Sequence, residues 1–262
     1  MMADNERRLI TIASGKGGVG KTWFAITLAH ALARRGRRVL LFDGDLGLAN
    51  VDIQLGLTPA HDLGDVLDGR MAIHEAAAPV PLDGTPSPGR LDVLAGKSGS
   101  GLLAGLETGA LLALRQRLID AAGRYDRVLL DLAAGIEPGV TLLSQHRGTV
   151  LVVLTPDPTS LTDAYAYIKV LHQRRPDADI RVVVNMAKNR KEGERTWQAL
   201  RKVCQTFLRH DPELAGIIPD DRRVREAIRM QAPLLSRFPQ SEAGEAVQAL
   251  AETLLAAEPA PA

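Results

Sequence analysis

A single cysteine, Cys204, is the only thiol in this chain, so neither an intrachain disulfide nor a metal cluster held by its own cysteines can form. The sequence never runs for about 18 apolar residues without interruption, the length a membrane-spanning helix needs. Its first residues, MMADNERRLI, lack the apolar core of a secretory leader, and a cytoplasmic protein is expected. Neither sign of charge is in excess: 32 Lys and Arg face 31 Asp and Glu, for a net charge of +1. That balance carries no overall electrostatic footprint of a nucleic-acid or membrane-surface binder and leaves only local patches for either role. What remains is 262 residues, 45% hydrophobic and 24% charged, an ordinary soluble globular composition with length for one large α/β domain or two small ones.

Short aliphatic runs alternate with longer helical patterns. Strands are expected at 8–13, 37–43, 90–96, 126–131, 149–155, 180–185 and 214–219. Most are apolar throughout, which suits strands covered on both faces, as in a parallel sheet. Helices are expected at 20–35, 101–122, 159–174, 192–209 and 221–231, with Gly36 stopping the first. The alternation implies a doubly wound, mostly parallel sheet with helices on both faces. PVPLDGTPSPG (79–89) reads as a loop from its Pro and Gly content. No interior linker divides the chain, so residues 1–240 are expected as a single domain. Residues 241–262 then supply a C-terminal helix and a frayed Ala/Pro tail.

Gly15 to Thr22, GKGGVGKT, matches G-x-x-x-x-G-K-[ST] at every fixed position, between a strand and a helix. The glycines let the backbone N–H groups of Gly17, Gly18, Val19 and Gly20 turn toward phosphate oxygens, and the helix N-terminus adds partial positive charge. Lys21 can reach the β and γ phosphates and Thr22 can offer its hydroxyl to Mg²⁺. Trp23, the next residue, joins the candidate nucleotide contacts. Lys16 is a second lysine in the same loop. It reads either as a solvated loop residue or as a cation reaching a nucleotide on a facing subunit, in the manner of an arginine finger supplied in trans.

KGGVGKT resembles the deviant Walker A motif of the MinD/ParA superfamily (SIMIBI class), and the resemblance runs over nearly the whole chain. LLFDGDLGLANVDIQLGL (40–57) is similar to the switch I region of the FlhG/FleN (YlxH) branch, and YDRVLLDLAAGIEPGV (125–140) to its Walker B and switch II. VVVNMAKNRKEG (182–193) and residues 217–241 resemble its base-binding and C-terminal segments. The resemblance implies a P-loop ATPase using ATP and Mg²⁺ that forms an ATP-bound homodimer and controls the number and placement of flagella. It implies partners such as a flagellar GTPase (FlhF-like), a transcription regulator or flagellar switch components, and a place at the cell pole through such a partner. It assigns Lys16 to the partner's phosphates across the dimer. Asp45, just past its strand, is then expected to orient or polarise the attacking water. Asp131 ends a strand, where it can hold Mg²⁺ through water, and Asp43 supports the same shell. Asn185 matches the adenine-reading residue, and Pro219, Asp220 and Asp221 match the loop that closes over the base. Leu132 stands where relatives usually carry Thr or Ser, and Trp23 where they often carry Asn.

Other members of the superfamily fit less well. A DNA-partitioning ParA needs a basic dimer face, and DNA binding is not favoured at this net charge. A MinD division-site protein would end in a basic amphipathic helix. Here 239–262 places Val247, Leu250 and Leu254 in a stripe but contains Glu242, Glu245, Glu252 and Glu258 and no Lys or Arg, so direct membrane binding should be weak. Iron–sulfur carriers need paired cysteines, cobyrinate-type ligases need a glutaminase domain, and a GTPase needs N-K-x-D where this chain has NMAKN. RRGRR (34–38) reads as charge compensation at a helix C-terminus. The six histidines are scattered without metal spacing, and Cys204 reads as buried packing.

Overall fold

The computed structural model describes residues 2–45, 49–82, 89–96 and 106–256. Eight strands form one sheet: β1 (Leu9–Ala13), β2 (Arg38–Gly44), β3 (Ala78–Val80), β4 (Arg90–Leu94), β5 (Arg127–Leu132), β6 (Thr149–Leu154), β7 (Asp179–Ala187) and β8 (Glu213–Pro219). Their spatial order is β3-β4-β2-β5-β1-β6-β7-β8, and every pairing is parallel except that of β3 with β4. The seven strands expected from the apolar runs are all present. The reading of 79–89 as loop is corrected at its start. Ala78–Val80 is an edge strand whose Pro79 costs the sheet little, because an edge residue need not donate to a ladder.

Five long helices cover the sheet: α2 (Lys21–Arg34), α6 (Thr108–Ala121), α8 (Pro158–Arg174), α9 (Arg190–Leu208) and α12 (Glu242–Ala256). Shorter turns lie between them: α1 (Met2–Arg7), α3 (Val51–Leu55), α4 (Leu63–Leu67), α5 (Ile73–Ala76), α7 (Pro138–Leu143), α10 (Arg222–Arg229) and α11 (Leu234–Arg237). Residues 83–88 of the expected loop, 101–105 of the expected helix and the tail beyond 256 lie outside the described residues.

The apolar strands have a direct cause. In β6, Val150, Val152 and Leu154 enter one core while Leu151 and Val153 enter the other. With side chains alternating between two covered faces, neither parity can be polar. α6, α8 and α9 supply the first core, including the fully buried Cys204. α2 and α12 supply the second, where Val247, Leu250 and Leu254 bury their stripe and leave Glu242, Glu245 and Glu252 exposed.

The arginine cluster serves the fold. Arg34 donates to Leu235 O at 3.1 Å, Arg35 pairs with Glu252, and Arg38 holds Asp126 at 2.9 Å. Together these contacts tie the end of α2 to α11 and α12, and the start of β2 to the residue before β5.

Two histidines are buried in the neutral form. His30 on α2 is 0% exposed, neither ring nitrogen has a partner, and burial first, then the charge of Arg34, lowers its pKa to about 4. His146 accepts from Gly148 N at Nδ1 (3.1 Å), so Nε2 carries the proton and donates to Thr11 Oγ1 at 2.7 Å. Burial, then Arg115 and Arg175, lowers its pKa to about 3. A histidine whose folded pKa is depressed supports the fold fully above its unfolded pKa near 6.5 and loses that support as pH falls toward the folded value. Wild-type stability should therefore drop between pH 8 and pH 5, with His30 alone accounting for about 2 kcal/mol. His30→Leu, which replaces an orphaned ring by an apolar side chain, should match or exceed wild type at pH 8 and be about 2 kcal/mol more stable at pH 5. Urea unfolding at both pH values checks this. A variant that tracks wild type across the range would show that His30 does not titrate with unfolding.

Candidate functional site

The site lies at the carboxyl edge of the sheet, where β1, β2, β5 and β7 end. The loop after β1 turns into α2 through Gly18 and Gly20, both in the left-handed region (φ 76° and 85°). Gly20 is closed to other residues on space as well: a Cβ there would stand 2.5 Å from Trp23 Nε1 and 2.6 Å from Asn185 Nδ2. Ser14 Oγ donates to Lys16 O at 2.8 Å, and Gly135 N donates to Ser14 O at 2.8 Å, so the segment after β5 rests on the loop.

Beneath the loop, Asp43 and Asp131 are direct register partners on the parallel strands β2 and β5, each 1% exposed. Asp43 Oδ2 accepts from the backbone N–H groups of Asn50 and Val51, both at 2.9 Å, and Oδ1 from that of Asp45 at 3.3 Å. Burial nonetheless raises its pKa to about 7, those amides opposing the rise and the charge of Asp131 adding to it. Both oxygens of Asp131 are buried without a hydrogen-bond partner. Burial raises its pKa to about 6, against the ammonium of Lys21 and the hydroxyl of Thr22. A buried carboxylate without a partner beside a hydroxyl supplies oxygen donors suited to a hard divalent cation and its water shell, while the Lys21 ammonium next to them suits the phosphate oxygens such a cation would accompany.

Above these carboxylates opens a cavity of about 430 Å³. Gly17, Gly18, Gly20, Lys21, Thr22, Trp23 and Asp45 line its loop end, and Asn185, Pro219, Asp220 and Asp221 its far end. Every residue expected from the sequence is thus in or directly beneath this cavity except Lys16 and Val19. Val19 lies under the loop, where its carbonyl accepts from Asn185 Nδ2 at 2.7 Å while Asn185 Oδ1 stays buried and unbonded. Lys16 is on the outer lip, with Nζ donating to Thr159 Oγ1 at 2.7 Å. Asp221 has a structural duty besides its place in the wall: its carboxylate accepts from Arg223 N at 2.9 Å, capping α10, and from Ala243 N at 3.4 Å. Arg225 pairs with Asp220 at 3.3 Å.

Asn50, Gln54 and Met186 also line the cavity and were not singled out from the sequence. Asn50 and Gln54 belong to the 40–57 stretch, so proximity to its aspartates was the available signal. Met186 follows Asn185 in a left-handed conformation (φ 57°) that no sequence pattern announces.

The family model for the CobQ/CobB/MinD/ParA nucleotide binding domain matches residues 10–234, which span the loop, both aspartates, Asn185 and the far wall. The chain belongs to this family. It is 39% identical over 245 residues to the antiactivator FleN of Pseudomonas aeruginosa, covering 94% of this chain and 85% of FleN. It is 28% identical over 252 residues to the flagellum site-determining protein YlxH of Helicobacter pylori, covering 95% of this chain and 82% of YlxH. Among solved structures, the septum site-determining protein MinD of Pyrococcus horikoshii, complexed with Mg-ADP, superposes with a TM-score of 0.77 at 27% identity, covering 95% of this chain and 97% of that one. A nucleotide-binding ATPase domain is therefore established, and the relatives place it near the flagellar regulators of the family. Among the described residues, no helix is long and apolar enough to cross a membrane.

Proposed function

We propose that this chain is an ATP-driven switch that dimerises with ATP bound, hydrolyses it slowly until a partner speeds it, and sets the number or placement of flagella. One observation carries the switch reading. Asp43 neighbours the orphaned Asp131 and also holds the backbone of Asn50 and Val51, so a change at the cation edge is felt directly at the start of α3. The loop amides and Lys21 would hold the phosphates, Thr22 and Asp131 the Mg²⁺ with Asp43 behind them, and Asn185, Pro219, Asp220 and Asp221 the adenine. Bound Mg²⁺ would neutralise charge on the β and γ oxygens. Asp45 orients the attacking water, and Lys16 serves the nucleotide of the facing subunit.

The flagellar part rests on the likeness to FleN and YlxH along nearly the whole chain. An antiactivator restrains an activator, so a transcription regulator is the first partner to seek, followed by a flagellar GTPase and switch components. The buried stripe and acidic outer face of α12 favour protein partners over direct lipid contact for any polar placement. Deleting the gene should change the count or position of flagella and impair swimming. Normal flagella with failed plasmid or chromosome segregation, or with misplaced division septa, would move the assignment to a ParA-like or MinD-like role.

A further inference from the structure

Two residues that line the cavity each carry a buried polar atom with no role in the reading above. The indole Nε1–H of Trp23, a residue 7% exposed, donates to nothing, and Gln54 Oε1 accepts from nothing. Gln54 Nε2 donates to Asn50 Oδ1 at 3.2 Å, which fixes the amide and makes its oxygen the free acceptor. Trp23 comes from α2 and Gln54 from α3, yet both line the main cavity and both border a void of about 20 Å³ beside it. Two residues, one carrying an unpartnered donor and the other an unpartnered acceptor, thus border the same cavity and the same void.

Their position selects the ligand atom. Trp23 directly follows Lys21 and Thr22 at the phosphate end, and its Nε1 shares the space over Gly20 with Asn185 Nδ2, at the base end. The part of a nucleotide between phosphate and base is the ribose. A ribose hydroxyl accepts one hydrogen bond and donates another, which matches an N–H facing a C=O. We propose that Trp23 and Gln54 together hold a ribose hydroxyl of the bound nucleotide, so that the chain selects ribonucleotides over their deoxy forms. The inference rests on the nucleotide reading of the site and goes beyond it by naming residues that choose the sugar. Leaving two buried groups unpaired is what penalises the deoxy ligand.

Calorimetric titration with Mg-ADP and with Mg-2′,3′-dideoxy-ADP tests it. Wild type should bind ADP about tenfold more tightly, the effect of one well-formed hydrogen-bonded hydroxyl. Trp23→Phe keeps an aromatic ring and Gln54→Met keeps the length of the side chain. Each should bring the preference to within about twofold by weakening ADP alone, with the dideoxy affinity and the nucleotide-free melting temperature unchanged. Should Trp23→Phe fail to fold, Gln54→Met on a separate helix still decides the matter. Equal wild-type affinity for the two ligands would overturn the inference, and so would a tenfold preference retained in both variants. A variant that weakens both ligands alike would overturn it too, by assigning the residue to packing, base or phosphate. Wild type that binds neither ligand would instead remove the nucleotide reading on which the inference stands.

Discussion

Asp45→Ala should bind Mg-ATP as wild type does and lose turnover, whereas Lys21→Ala should lose binding itself. The two residues line the same cavity but differ in what they can touch. Lys21, only 8% exposed, lies against Asp131 at the loop end, so it is the main cation available to the β and γ phosphates. Charge-assisted contacts from a desolvated lysine are about twice as strong as neutral ones, so their loss should weaken ATP binding on the order of a hundredfold or more. Asp45 stands beyond the end of β2, past the pair of carboxylates, with its N–H on Asp43. A carboxylate there adds negative charge to a site that holds a polyanion, so it contributes nothing to ground-state affinity. Its use is to take or align a proton of water, a service worth about 10² to 10⁴ in rate. Calorimetry for ATP affinity and phosphate release for turnover separate the outcomes. Wild-type turnover in Asp45→Ala would remove Asp45 from the mechanism, and unaltered ATP affinity in Lys21→Ala would remove the phosphate loop from nucleotide binding.

The site could be read this far from sequence because its chemistry is local. Gly15 to Thr22 is one contiguous segment whose spacing is dictated by backbone geometry, and Asp43 and Asp131 each sit near the end of an apolar run. Strands covered on both faces are mostly apolar at both parities, so β1, β2 and β4 to β7 were legible as runs despite buried polar residues such as Thr11 and Asp92, and the half-buried edge strand β8 was legible from its own aliphatic run. β3 was not, since three residues containing a proline carry no periodicity. The short helices were missed for a related reason. α3, α4, α5, α7 and α11 have four to six residues each, too few to be stable through local propensity. They persist through tertiary contacts and caps such as the Asp62–Asp65 pair that closes the start of α4.

What sequence could not supply is contact between distant segments. The rings of His172 and His210 meet at 4.8 Å, tilted 37° to each other, although 38 positions separate them. Asp221 shows the opposite lesson. An aspartate ahead of a helix is ordinarily a cap, and here it caps α10 while also forming part of the cavity wall. The resemblance pointed to its place at the base end, and plain helix physics pointed to its hydrogen bonds. The two readings are compatible because the carboxylate faces the helix and the residue as a whole faces the cavity.

Removing Lys16 should dissolve the dimer without disturbing the bound nucleotide. Lys16 is outside the cavity wall, and its Nζ rests on Thr159 Oγ1 at the exposed start of α8. A hydrogen bond between two exposed side chains trades against water and contributes little, so the lysine is free to leave it. Lys21 and the loop backbone already line the loop end of the cavity, and Arg225, farther along its wall, is paired with Asp220, so Lys16 outside the wall is left for a nucleotide presented from outside. With hydrolysis blocked by Asp45→Ala and ATP present, the chain should elute as a dimer in size-exclusion chromatography. Adding Lys16→Ala should return it to monomer, with ATP affinity within about threefold of the parent, because a threefold change is less than 1 kcal/mol. As a single change, Lys16→Ala should lower turnover on the order of a thousandfold, the low end of what a cation supplied in trans gives. Thr159→Val in the Asp45→Ala background is the control, since it removes the resting contact and leaves the lysine, and it should stay dimeric. A Lys16→Ala, Asp45→Ala double variant that remains a dimer, together with unchanged hydrolysis in the single variant, would return Lys16 to the role of a solvated loop residue.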